Sequence, residues 1–411
     1  GKIPEDWEVD YLSNHLYIKG RIGWKGLQKS EYLKDGSGIL IINGTQIQGD
    51  RMDWSKCERV PEWRYEESPE IQLKVNDIVM TKDGTIGKVA FVDYLPEKTS
   101  VASGIFVIRS ISGKIDQKFL FHYFKSPIFR WLIETRKEGS VIPHLYQRDF
   151  ENFPIVFPKD ISEQRSIAKI LSDLDAKIEL NSQMNKTLEA IGQALFKKWF
   201  VDNPEREGWE VKTLADFIFV ERGLSYKGSG LSEKGIPMIN LGNIAKNNHF
   251  RDEGIKFYTG EYKEKNLIKP GDLIIANTDI TQKREVLGSC LIVPSHLCND
   301  KILFTHHIYA IRNKNPKNTL PKYFLSYLLQ TPEYKERTKG FATGTTVLAL
   351  PEDAILNFAF YCPDKKTLET FEKMASYLMF KVSENIIESK KLSQIRDSLL
   401  PKLMNGEIRV K

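Results

Sequence analysis

Two hydrophobic patterns alternate along the chain, and each occurs twice. The first is a set of short apolar runs broken by Gly, Asn and Asp: Ile39–Ile42, Ile78–Met80, Val89–Val92 and Phe106–Ile108. Runs of that length between turn residues predict short strands. The second pattern spaces its positions alternately by four and three: Leu171, Leu174, Ile178, Asn181, Asn185, Leu188, Gly192, Leu195 and Trp199. This is the seam of a heptad helix. It returns at an offset of 204 as Ala375, Leu378, Val382, Asn385, Ser389, Leu392, Arg396, Leu399 and Leu403. Arg396 alone interrupts the second copy. Pro158 and Pro363 precede the helices, and Pro204 and Pro401 lie near their ends, where proline punctuates helices.

The repeat extends to the strand regions. W-E-V at Trp7 answers to W-E-V at Trp209, L-K-V-N-D-I-V-M at 73–80 to I-K-P-G-D-L-I-I at 268–275, and F-K-S-P-I-F-R at 124–130 to L-Q-T-P-E-Y-K at 329–335. Order and spacing persist, as a duplication requires. The predicted organisation is a domain over 1–158, a helix over 159–202, a second domain over 203–363 and a second helix over 364–411. The fold class is therefore α+β. Two globular α/β domains are joined by two long antiparallel coiled-coil helices in a pseudo-two-fold internal repeat. A first helix spanning about 163–200 would run roughly 57 Å. An antiparallel pairing sets Asn181 and Asn185 beside Asn385 and Ser389. Buried amides in a seam fix register at some cost in stability.

Composition narrows the class. The 411 residues carry a net charge of +6, which permits a polyanionic partner without requiring one. The four cysteines, Cys57, Cys290, Cys298 and Cys362, form no C-x-x-C pair, which fits reduced thiols in a cytoplasmic protein. No run approaches the roughly 18 apolar residues of a membrane span, and no signal peptide opens the sequence.

The segment E-Q-R-S-I-A-K-I-L-S-D-L-D-A-K-I (163–178) resembles the central region of the specificity subunits of prokaryotic Type I restriction-modification enzymes. S-L-L-P-K-L-M-N-G-E-I-R-V (398–410) resembles their C-terminal region, and Y-I-K-G-R-I-G-W-K-G-L (17–27) one lineage of their first target recognition domain. The resemblance covers the whole chain. It implies two target recognition domains, each reading one half of a split double-stranded DNA target. The helices are implied to set the gap and to dock two methylation subunits, and restriction subunits through them. Adenosylmethionine, ATP and Mg are implied on those partners, with no cofactor in this chain.

The residues agree with a non-catalytic role. There is no glycine-rich adenosylmethionine loop, and Asn203-Pro204 continues as Glu-Arg instead of a methyltransferase turn. No G-x-x-x-x-G-K-[ST] phosphate loop occurs. Cys290, His296, Cys298, His306 and His307 are the densest possible metal ligands, but their spacing is not that of a zinc site. They read as core and surface positions, and no metal is expected.

DNA contacts need cations, amides and small hydroxyls on loops. Three loop groups per domain qualify. The first is Arg21, Lys25, Gln28 and Lys29, against Arg222, Ser225, Lys227 and Ser229. The second is Lys82, Thr85 and Lys88, against Thr281, Gln282, Lys283 and Arg284. The third is His144, Tyr146, Gln147 and Arg148, against Thr343, Thr345 and Thr346. Asn43 and Gln46, matched by Asn243, are weaker candidates because amides also suit turns. A structural adaptor that holds protein partners without reading bases is the alternative. Exchanging the two variable domains discriminates, since an adaptor would be indifferent to it.

Overall fold

The structure is a computed structural model that describes residues 3–22, 26–137, 144–245, 248–281, 283–297 and 301–410. The chain forms two compact units, 1–179 with 390–411, and 180–389.

In the first unit the strands Leu16–Gly20, Ile105–Ser110, Ile78–Thr81 and Val89–Phe91 lie in that order in one antiparallel sheet. Ile78–Thr81 is buried at every position because both faces of the sheet are covered. On one face Ile78, Met80, Phe106 and Ile108 pack with the helices Gln117–Lys125 and Pro127–Lys137. On the other, Val79, Val107 and Ile105 pack with Ile42 and Val101. The Asp116 carboxylate caps the first helix by accepting from the Lys118 and Phe119 amides at 2.9 and 3.1 Å. Trp7–Tyr11 pairs with Pro154–Pro158, so the start of the segment 1–158 closes on its end.

The second unit repeats this plan. Ile218–Arg222, Ile308–Asn313, Leu273–Ala276 and Cys290–Ile292 form a sheet of the same order, and Glu210–Thr213 pairs with Ala359–Cys362. Equivalent ion pairs brace both sheets: Arg109 with Asp77 at 2.6 Å, and Arg312 with Asp272 at 2.9 Å. Trp7 is a buried anchor at 5% exposure, whereas Trp209 is only half-buried.

The two long helices span Ile161–Phe196 and Lys365–Met404. A single π turn, Lys197–Val201, ends the first, and Pro401 sits in the last turn of the second. Within the first unit, Glu163 meets Arg409 at 2.7 Å and Asp175 meets Arg396 at 2.8 Å, so the segments run antiparallel. Arg396, the break in the apolar spacing, is thus matched by a carboxylate on the facing helix. Within the second unit, Asn385 Nδ2 donates to Asn185 Oδ1 at 2.8 Å. Asn181 Nδ2 donates to Glu388 Oε2 at 2.7 Å and Ser389 Oγ at 3.3 Å. The polar seam positions meet in the antiparallel register their symmetry demands. Leu171, Asn181, Val382 and Asn385 are buried, and Leu174, Ile178, Asn185, Leu188, Leu195, Leu378, Leu392 and Leu399 are half-buried. At Gly192 a Cβ would lie 1.9 Å from the Tyr327 hydroxyl, so any larger residue there would displace that side chain.

Candidate nucleic-acid interface

Each sheet has one edge where loops gather, and backbone hydrogen bonds define it. In the first unit the Lys82 amide donates to Gly104 O, and the Leu145 amide donates to Lys82 O, both at 2.9 Å. In the second the Asn277 amide donates to His307 O at 3.0 Å, and the Leu350 amide to Asn277 O at 2.8 Å. Lys82 and Asn277 therefore hold equivalent places, one residue past the sheet strand. These bonds bring the second and third loop groups together in each unit. The first group joins through the strand before it: Gly20 pairs with Phe106, and Arg222 with Tyr309.

The loops on this shared frame differ. The segment that follows the strand Ile78–Thr81 spans residues 82–87 in the first unit, and the one that follows Leu273–Ala276 spans 277–288 in the second. Their closing bonds are equivalent, Gly87 N to Thr81 O and Gly288 N to Ala276 O, each 2.9 Å. The longer loop is organised by Asp279, 1% exposed, whose carboxylate accepts from the amides of Thr281, Val286 and Leu287 at 2.7, 2.7 and 3.2 Å.

A model for the Type I restriction modification DNA specificity domain matches residues 25–190 and again 206–396. The chain belongs to this family. The specificity subunit of the Type I restriction enzyme MjaVIII from Methanocaldococcus jannaschii is 25% identical, over 100% of this chain and 95% of that protein. The HindI specificity subunit from Haemophilus influenzae is also 25% identical, over 78% of this chain and 84% of that one. Among solved structures, the Type I restriction-modification S subunit from M. genitalium superimposes with a TM-score of 0.61 at 18% identity. It covers 98% of this chain and 96% of that one, which supports the fold.

Within the two specificity domains the candidate residues divide. In the first, Lys29, Thr85, Lys88, Tyr146, Gln147 and Arg148 are exposed. Gln28 is exposed but caps the turn Lys29–Glu31. The His144 ring lies tilted against Tyr146, centroids 4.3 Å apart, and pairs with Asp83, and the Arg148 guanidinium lies 4.9 Å over the Tyr146 ring. Lys82 is half-buried over the Phe106 ring at 5.2 Å, and burial lowers its pKa. In the second domain, Arg222, Ser225, Lys227, Ser229, Thr281, Lys283, Thr343, Thr345 and Thr346 are exposed. Arg284 is tied down, donating to Lys339 O at the end of helix Pro332–Gly340. Lys25 and Gln282 lie outside the described residues.

Three expectations are corrected. Arg21 is 2% exposed and donates to Val101 O at 3.0 Å and Glu67 at 3.2 Å, so it braces the core beneath the loop. Its sheet position also matches Gly223, because Gly20 and not Arg21 is the counterpart of Arg222. Gln46, 2% exposed, accepts from the Asn43 amide at 2.8 Å and donates to Lys56 O at 2.7 Å. Asn243, fully buried, accepts from the Asn240 amide at 2.9 Å and donates to Arg251 O at 2.8 Å. Both amides hold turns. Asn43 is half-buried, and its Oδ1 accepts from the Thr45 amide at 2.8 Å, again closing a turn.

The sequence reading missed one element, the turn at His306 and His307. Of the possible metal ligands there, Cys298 is outside the described residues and Cys290 is fully buried, with its thiol pushed up to about 12. Among the described residues no group of three His, Cys, Asp or Glu is placed to hold a metal ion. No described helix is long and apolar enough to cross a membrane.

Proposed function

We propose that this chain is the non-catalytic, sequence-reading subunit of a Type I restriction-modification complex. Each specificity domain reads one half of a bipartite, asymmetric double-stranded DNA target. The paired helices set the gap between halves and dock two methylation subunits, which recruit restriction subunits. Adenosylmethionine, ATP and Mg act on those partners in the prokaryotic cytoplasm. The observation that carries this reading is one sheet frame built twice, with different loops on its equivalent edge. A shared frame suits equivalent approach to the duplex, and unlike loops suit unlike base sequences.

The test is genome-wide mapping of methylated adenines after co-expression with a methylation subunit of the same system. A two-part motif with a fixed gap is expected. Exchanging the domains 1–158 and 203–363 should change that motif. A continuous motif, or one indifferent to the exchange, would overturn the reading and favour a structural adaptor.

A further inference from the structure

The turn Thr305–His306–His307–Ile308 links two strands at the loop edge of the second specificity domain, closed by the Ile308 amide on Thr305 O at 2.9 Å. Its backbone is fixed by both neighbouring loops. Arg222 Nε and Asn277 Nδ2 each donate to His306 O at 3.1 Å, and the His306 amide donates to Leu224 O at 3.0 Å. Gly223 permits this close approach, since a Cβ there would lie 2.3 Å from Thr305 O. The two imidazoles lie against each other at 3.9 Å, and both are half-exposed. His307 Nδ1 is 3.0 Å from Thr278 Oγ1. That contact fixes the ring and leaves Nε2 without a partner among the described residues.

The neighbourhood is polar and incompletely paired. Asn277 Oδ1, Thr305 Oγ1 and His306 Nδ1 are buried without hydrogen-bond partners. Unpaired buried polar atoms are rare enough in proteins to call for an explanation, and a bound partner is one. Burial first, then the nearby His306, Arg222 and Lys256, hold the His307 pKa below the ordinary histidine value. The neutral ring therefore offers Nε2 as donor or acceptor, according to the proton on Nδ1. In the first domain the same turn, closed by Ile105 N on Ala102 O at 3.2 Å, carries Ser103 and Gly104 and has no comparable reach.

We propose that the His306–His307 turn reads a base pair in the half-site bound by the second domain, with His307 Nε2 contacting the base edge and Thr278 positioning the ring. This rests on the DNA-reading role above and adds a further element in which the two domains differ. It also predicts which half of the target depends on these side chains.

The test is selection from random duplexes by the full chain assembled with its methylation subunit. The variants are His307→Ala, His307→Asn and, in the first domain, Ser103→Ala. His307→Ala should relax preference at one base pair of one half roughly tenfold, the lower end for a good base contact. His307→Asn keeps a polar group and should alter which base is preferred there. The other half should be unchanged in both, and Ser103→Ala should change neither half. An unaltered motif in both histidine variants, with the wild type still selective, would overturn the inference alone. Equal weakening at both halves in His307→Asn would overturn it as well. A wild-type complex with no sequence preference would overturn the DNA-reading role itself.

Discussion

Asn385 donates from Nδ2 to Asn185 Oδ1 at 2.8 Å across the antiparallel helices of the second unit. The internal repeat maps this pair onto Asn181 and Ser389, which meet at 3.3 Å. Apolar side chains would pack the same seam in several registers; an amide pair is satisfied in one.

This relationship predicts an asymmetric mutational response. Asn385→Leu alone strands Asn185 in the seam and should cost about 1–3 kcal/mol. Asn185→Leu combined with Asn385→Leu removes both polar groups and should be close to neutral or stabilising. Urea unfolding of the two singles and the double gives the coupling. Additive losses in the double variant would show that the amides act independently.

Acid should loosen the first unit through His122. Its ring is 1% exposed, with Nε2 2.9 Å from Ser172 Oγ on the central helix. Burial first, then the neighbouring Lys125, lower its pKa from 6.5 to about 3. Between those values the unfolded chain binds the proton and the folded one does not. Stability is thus full above pH 6.5 and falls as pH drops through the window, by about 2 kcal/mol at pH 5. Thermal melts of wild type and His122→Gln should diverge in slope over pH 7 to 5. Parallel slopes would exclude His122 as the source.

How much of this was legible in the sequence depends on the periodicity behind each element. The seam from Leu171 to Leu403 was readable because seven-residue spacing constrains every position, and even the intrusion of Arg396 had a partner, Asp175. The sheet strands were readable because Ile78–Met80 and its counterpart Leu273–Ile275 are unbroken apolar runs, buried at every position. The loop edge was less legible. Arg21 looks the same as a DNA-binding arginine until Glu67 and Val101 O are seen to enclose it. Asn243 and Gln46 are amides whose role depends on backbone turns that no spacing reveals. His306 and His307 read as ordinary core and surface positions in the sequence, because their place on the edge follows from strand pairing with residues far away in the chain.

Burial separates stability from binding at this edge. Arg21→Ala removes a buried guanidinium and leaves Val101 O and the Glu67 carboxylate without it. It should lower the stability of the first unit by about 2–4 kcal/mol. Lys88→Ala, at an exposed position, should leave the melting temperature unchanged. It should weaken DNA binding across all sequences and reduce the salt slope by about one. Titrations of duplex DNA at several salt concentrations, beside thermal melts, check both arms. Sequence-selective loss in Lys88→Ala would assign it to base reading instead.

The helices offer the sharpest test of spacing. The two units divide each helix at 179/180 and at 389/390, close to the paired amides. Seven residues inserted between Ile178 and Asn181, and seven more between Ser389 and Leu392, would add one heptad to both helices. That keeps every seam position in phase and leaves the packing within each specificity domain untouched. Each insertion lengthens its helix by about 10 Å, which is roughly three base pairs of duplex. The methylated motif should keep both halves and widen its gap by that amount. Insertion in one helix alone should instead lower stability, because the two helices of the seam no longer match in length at the insertion. An unchanged gap in the double insertion would show that something other than helix length sets the distance between half-sites.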